Sequence, residues 1–168
     1  GSTLMTEGYH SVLDPMVDSG DVTIVMNQFT PGWKTEPAQA NAENALTAND
    51  NDVQVFLSYY DGMSLGILQA IEAAGIPDGQ ILVTGQDMEL SAMQAIAEGR
   101  QFGSLWPAPE EMAVAGGETA IALATCEPLD FELTLDNGAA DIPFIKTPIF
   151  LVTQDELADF ACTHQYWQ

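Results

Sequence analysis

Several short stretches of this sequence set a carboxylate, an amide or an aromatic ring where an apolar run ends. Gln28-Phe29-Thr30-Pro31-Gly32-Trp33 follows VTIVM, Tyr59-Tyr60-Asp61 follows VQVFLS, and Gly85-Gln86-Asp87 follows ILVT. A further run, FGSLW, closes on Trp106 ahead of Pro107. These residue types suit a polyhydroxyl ligand. A carboxylate such as Asp87 or Asp61 accepts two hydroxyl hydrogen bonds, and charge-assisted bonds are roughly twice as strong as neutral ones. The face of Trp33 or Trp106 packs on the apolar C–H side of a ring at small entropic cost. Gln86 and Tyr60 add polar groups between them, the general make-up of a concave site with a few placed polar groups. Plainer readings stand beside these. Asp87 and Asp61 each precede a helical stretch and suit an N-cap. Trp33 in a Pro-Gly turn can be a packing plug, and Tyr59, Tyr60 and Trp106 can belong to the core or to a rim.

Enzyme signatures are missing. The sequence has no GxGxxG, GxxxxGK[ST], GxSxG or HExxH. Asp61 and Asp87 would form a glycosidase-like pair only if both faced one cleft at about 5–10 Å. Lys146 lies far from any acidic cluster of the kind a receiver domain needs, and His10 and His164 lack motif-spaced partners. Cys126 and Cys162 are far apart, without CxxC or a nearby His cluster, so zinc is disfavoured. They are either two free thiols or, in an exported protein, a disulfide contributing about 3–4 kcal/mol.

The elements that must position these residues alternate. Residues 4–17 read as a helix limited by Pro15 and ended by Gly20, a suitable left-handed terminator. VTIVM at 22–26 is a β-branched run and reads as a buried strand. An Ala-rich helix covers 36–48, with Pro37 in its first turn. Strands at 53–58, 81–84 and 102–106 alternate with helices at 63–74, 88–98 and 109–124, the last weakened by Gly116-Gly117. FELTL at 131–135 alternates like an exposed strand before an Asp136-Asn137-Gly138 turn, and 143–152 is a last extended segment. This alternation predicts an α/β fold, a Rossmann-like parallel sheet flanked by helices, in which ligands bind beyond the carboxyl ends of the strands.

Composition narrows the partners. Asp and Glu number 25 against 3 Lys and Arg, a net charge of −22. Such a surface repels phosphate backbones and anionic lipid, so neither nucleic acid nor a membrane surface is an expected partner. No apolar run approaches the roughly 20 residues that span a bilayer. Hydrophobic residues make up 46%, enough for a real core.

Taken in order, GYHSVLDPMVDSGDVTIVMNQFTPGW, ENALTANDNDVQVFLSYYDGMSLGILQAIEAAG, ILVTGQDMELSAMQAIAEGRQF and LDNGAADIPFIKTPIFLV resemble the xylose-binding branch of the periplasmic sugar-binding proteins that serve ABC importers. The phrases VDSG, NALTAN, GQD and NGxxDIP are specific in combination. The resemblance implies a type I periplasmic binding protein with two Rossmann-like lobes that close on a sugar. It implies that residues 1–168 cover the carboxyl-terminal lobe, with 143–168 crossing back through the hinge into a tail. The amino-terminal lobe and the first strand of this lobe are then missing. By resemblance, Trp33 stacks on the sugar ring and Asp87 binds its hydroxyls. Tyr60 stands where the xylose binders place an asparagine ahead of Asp61, and Pro107 where they place a lysine. Both departures leave the aldose open. The implied partners are a monosaccharide and an ABC transporter permease, with no cofactor and no catalysis. The implied location is periplasmic or extracellular, with a lipid anchor open for the full-length protein and a Cys126–Cys162 disulfide favoured. The alternative is a sugar-sensing module feeding a membrane receptor or a regulator.

Overall fold

The computed structural model describes residues 2–129, 131 and 133–164. The chain divides into two compact units, Gly1–Leu105 with Leu151–Gln168, and Trp106–Phe150. In the first unit, α1 (Ser2–Ser19) runs through Pro15 and stops at Gly20, whose φ of +84° is the left-handed conformation expected there. A 3₁₀ turn (Pro31–Trp33) leads into α2 (Thr35–Ala48). Then β1 (Val55–Phe56), α3 (Asp61–Ala73), β2 (Leu82–Gln86), α4 (Leu90–Ala97) and β3 (Gly103–Trp106) alternate. After the second unit the chain returns as β6 (Phe150–Thr153) and α6 (Gln154–Thr163). The sheet order is β1-β2-β3-β6. β1 pairs parallel with β2 (Val55 opposite Leu82), and β2 with β3 (Thr84 opposite Gly103). β1, β2 and β3 thus form the helix-flanked parallel sheet that the alternating pattern predicts.

The core sits between the sheet and two helices. Leu46 and Ala42 of α2 and Ile67, Leu68, Ala70 and Ile71 of α3 pack with Val83 of β2. The α2–α3 contact is close because Gly66 has no side chain. A Cβ there would lie 2.2 Å from the carbonyl oxygen of Thr35, while the Thr35 hydroxyl donates to the carbonyl of Gly62 at 2.8 Å.

The second unit contains α5 (Pro109–Thr125) and an antiparallel hairpin of β4 (Leu133–Asp136) and β5 (Asp141–Phe144). Asn137 closes its turn, its side-chain oxygen accepting from the amides of Ala139 and Ala140. No described residue of α5 is buried.

Two expectations are corrected. Residues 22–26 form no strand, and Ile24, Val25 and Met26 are exposed. β-branched composition supports a strand only where a neighbouring strand takes up its backbone groups, and among the described residues no strand pairs with this segment. The strand expected over 53–58 shrinks to Val55–Phe56 at the sheet's edge. Helix α6 was not expected, although Thr153 and Glu156 form a reciprocal capping box whose T-x-x-E spacing is readable in the sequence.

Gly66→Ala should destabilise the first unit by about 1–3 kcal/mol, because the clash is with backbone rather than a movable side chain. Gly8→Ala, in open space on α1, should stabilise it by roughly 0.5–1 kcal/mol. Urea unfolding midpoints that move in opposite directions check the pair.

Candidate functional site

β1, β2 and β3 are parallel, so their carboxyl ends share one side of the sheet. The segments leaving these ends are built around Asp61, which is 1% exposed. One carboxylate oxygen accepts the Glu89 amide at 2.9 Å, and the other accepts the Gln101 side-chain amide at 3.2 Å. The Ser104 hydroxyl lies 2.9 Å from both oxygens. Gly85 makes room for this group, since a Cβ on Gly85 would lie 2.0 Å from the Asp61 carboxylate. The glycine of the GQD phrase is therefore explained by a buried charge packed against its backbone. Burial pushes the Asp61 carboxyl up from 3.8 to about 6, against the opposing pull of the Glu89, Ser104 and Gln101 hydrogen bonds.

Asp61 was expected as a cap or a ligand residue. It is the first residue of α3, whose N-cap is Tyr60, and its carboxylate is committed to three donors inside the unit. Asp87 is not the cap of α4 either. That position belongs to Glu89, with no side-chain cap bond. Asp87 precedes it by two residues at φ +92°, followed by Met88 at φ +53°, conformations that side-chain-bearing residues rarely adopt. Three successive amides hold this bend. Asp87 N–H donates to the Leu105 carbonyl at 2.8 Å, Met88 N–H to the Ser104 hydroxyl at 3.3 Å, and Glu89 N–H to Asp61. Met88 is fully buried, which turns the neighbouring Asp87 outward to an exposed position. Gln86, half-buried at the end of β2, donates to the Asp87 carboxylate at 3.3 Å.

Tyr60 and Trp33 complete the cluster. The Tyr60 hydroxyl donates to the Glu89 carboxylate at 2.6 Å, and Glu89 pushes that hydroxyl up to about 12. The negative charges of Asp87 and Asp61 also act on Tyr60. Its ring lies over Gly62, where a Cβ would come within 2.5 Å of the ring edge. Trp33, held at φ +58° by the Pro31-Gly32 turn, meets Tyr60 edge-on with ring centroids 6.3 Å apart. Trp33, Tyr60, Gln86, Asp87 and Glu89 thus form a half-buried to exposed wall of aromatic surface and acceptors, with Asp61 beneath.

The remaining candidates lie elsewhere. Tyr59 stacks on Tyr9 of α1 at 5.2 Å and faces that helix. Trp106 is 4% exposed at the end of β3, so its ring is covered rather than presented. The expected Cys126–Cys162 disulfide is not formed. Cys126 caps the end of α5 in the second unit, Cys162 lies in the last turn of α6 in the first, and both are exposed free thiols. Glu89 was missed. Its signal was a second carboxylate two positions after Asp87, at the entry to the same helix.

A family model described as a periplasmic binding protein domain matches residues 2–128. The chain is 35% identical over 147 residues to the D-xylose-binding periplasmic protein of Escherichia coli, covering 87% of this chain and 44% of that one. It is 33% identical over 158 residues to the multiple sugar-binding periplasmic receptor ChvE of Rhizobium radiobacter, covering 85% and 44%. A carbohydrate transporter solute-binding protein from Chloroflexus aurantiacus, solved with D-glucose, superposes with a TM-score of 0.80 at 25% identity over 96% of this chain and 54% of that one. The chain spans somewhat less than half the length of these curated relatives.

The raised Asp61 value has a sign. Well below pH 3.8 the carboxyl is protonated in both folded and unfolded chains, and its contribution to stability is fully present. As pH rises towards and through about 6, the unfolded chain ionises first and that contribution is lost, by about 3 kcal/mol for a shift of two units. Unfolding free energies of the wild type and Asp61→Asn, measured in urea from pH 4 to 7, should therefore converge or cross in favour of the variant as pH rises. A difference independent of pH would contradict the assignment.

Proposed function

This chain belongs to the periplasmic binding protein domain family, and on that premise we propose that it forms one wall of a monosaccharide-binding cleft. The observation that carries the reading is the wall itself. Trp33, Tyr60, Gln86 and Asp87 converge beyond the carboxyl ends of parallel strands, held on a buried frame. Trp33 offers a face for the apolar side of a sugar ring, while Asp87 and Gln86 take its hydroxyls. Asp61 supports them from behind.

The relatives supply the rest of the proposal. The ligand is an aldose of the xylose class or a near neighbour, with Tyr60 in place of an amide shifting the preference. The protein binds and releases its sugar without catalysis and hands it to an ABC transporter permease. A second lobe, outside this chain, closes over the wall, and ligand contacts stabilise the closed form. The chain then constitutes the carboxyl-terminal lobe, with 143–168 as the hinge-crossing segment and tail, in a protein that works in the periplasm or outside the cell. A lipid anchor would keep such a protein near its permease. No helix of the described chain is long and apolar enough to cross a membrane. The Rhizobium relative is named a receptor, and a sensing role would use the same wall with a different membrane partner.

Calorimetric titration of the full-length polypeptide with xylose, arabinose, glucose and galactose tests this. One aldose should bind saturably, and Trp33→Ala and Asp87→Ala should each weaken it about 10- to 100-fold, the range of a lost stacking face or charge-assisted bond. A folded protein that binds none of them, or binds equally well without Trp33 and Asp87, would contradict the reading.

A further inference from the structure

We propose that Glu89 sets the ligand preference of this wall by acting through Tyr60, a role that rests on the sugar-binding reading above. Glu89 is fixed at both ends. Its amide donates to Asp61 at 2.9 Å, and its carboxylate accepts the Tyr60 hydroxyl at 2.6 Å. The Tyr60 ring has little freedom to turn away, because it lies over the bare Cα of Gly62 and abuts the Trp33 ring. A phenol carries one proton, and here that proton belongs to Glu89. What remains for a ligand is the lone pairs of the Tyr60 oxygen. An asparagine at this position would have offered both a donor and an acceptor.

The wall consequently presents acceptors side by side: the Tyr60 oxygen and the Asp87 carboxylate. Such a surface binds ligand hydroxyls only as donors. It selects free aldoses over derivatives in which the hydroxyl facing Tyr60 has been removed or methylated, because those leave a desolvated acceptor unpaired. Glu89 is a positioning residue in this scheme and Tyr60 is the group that touches the sugar.

The test compares the full-length protein's affinity for its preferred aldose with that for each monodeoxy and mono-O-methyl derivative, by calorimetry. In the wild type one ring position should show strong discrimination. Glu89→Ala frees the Tyr60 proton to donate to an ether oxygen and should reduce the discrimination against the mono-O-methyl derivative at that position at least tenfold. Glu89→Gln keeps an acceptor for Tyr60 and should restore it. Tyr60→Phe should lose it as Glu89→Ala does, and the double variant should lose no more than either. Circular dichroism establishes folding, and Tyr60→Phe decides the matter where Glu89→Ala does not fold. Unchanged discrimination in Glu89→Ala or in Tyr60→Phe would overturn the inference. If Trp33→Ala and Asp87→Ala weaken the parent aldose while discrimination stays unchanged, only the Glu89 role fails. If those two variants bind as the wild type does, the sugar-binding wall fails with it.

Discussion

A carboxylate removed from water must find donors or stay protonated, and the first unit is organised around that requirement at Asp61. Desolvation of an isolated charge costs several kcal/mol, which three nearby donors only partly offset. The donors come from three places in the chain: the entry of α4, the loop before β3, and β3 itself. By accepting from all of them, Asp61 ties the start of α3 to both ends of the following crossover, β2-α4-β3. Its ionisation remains costly, as the pKa of about 6 records.

The consequences spread outward from this group. Gly85 is the residue that admits it. Ser104 donates to it and accepts the Met88 amide, so the bend at 87–89 hangs on the same network. That bend holds two residues at positive φ, a conformation costing roughly 1–3 kcal/mol per residue when nothing compensates. Burial of Met88 and the three amide bonds supply the compensation. The result is an exposed Asp87 and a doubly anchored Glu89, and through Glu89 a fixed Tyr60. The candidate wall is therefore held in place by a residue that is itself buried.

Much of this was legible in the residues. The alternation of β-branched runs with Ala-rich and apolar-periodic stretches marked the parallel sheet and its helices, because both periods are local properties. Tyr60, Gln86 and Asp87 were placed for the same reason, since a run ends where its composition changes, whereas the run ahead of Trp33 forms no strand. The two aspartates were less readable. Asp61 and Asp87 sit in similar local contexts, yet one is buried and the other exposed. The difference lies in partners 28 to 43 positions away, which no local pattern reveals. Residues 22–26 failed similarly, since strand composition cannot report whether a neighbour is present. Glu89 escaped notice because its importance comes from a contact with Tyr60, whereas α6 had a readable capping box that was passed over.

A crystal structure of the full-length protein with its aldose bound tests the arrangement most directly. It should show the sugar ring on the face of Trp33 and hydroxyls about 2.7 Å from the Asp87 carboxylate, with Asp61 still buried against Ser104 and the Glu89 amide. A sugar seated away from Trp33 and Asp87, or an Asp61 that leaves its donors to contact the ligand, would contradict it.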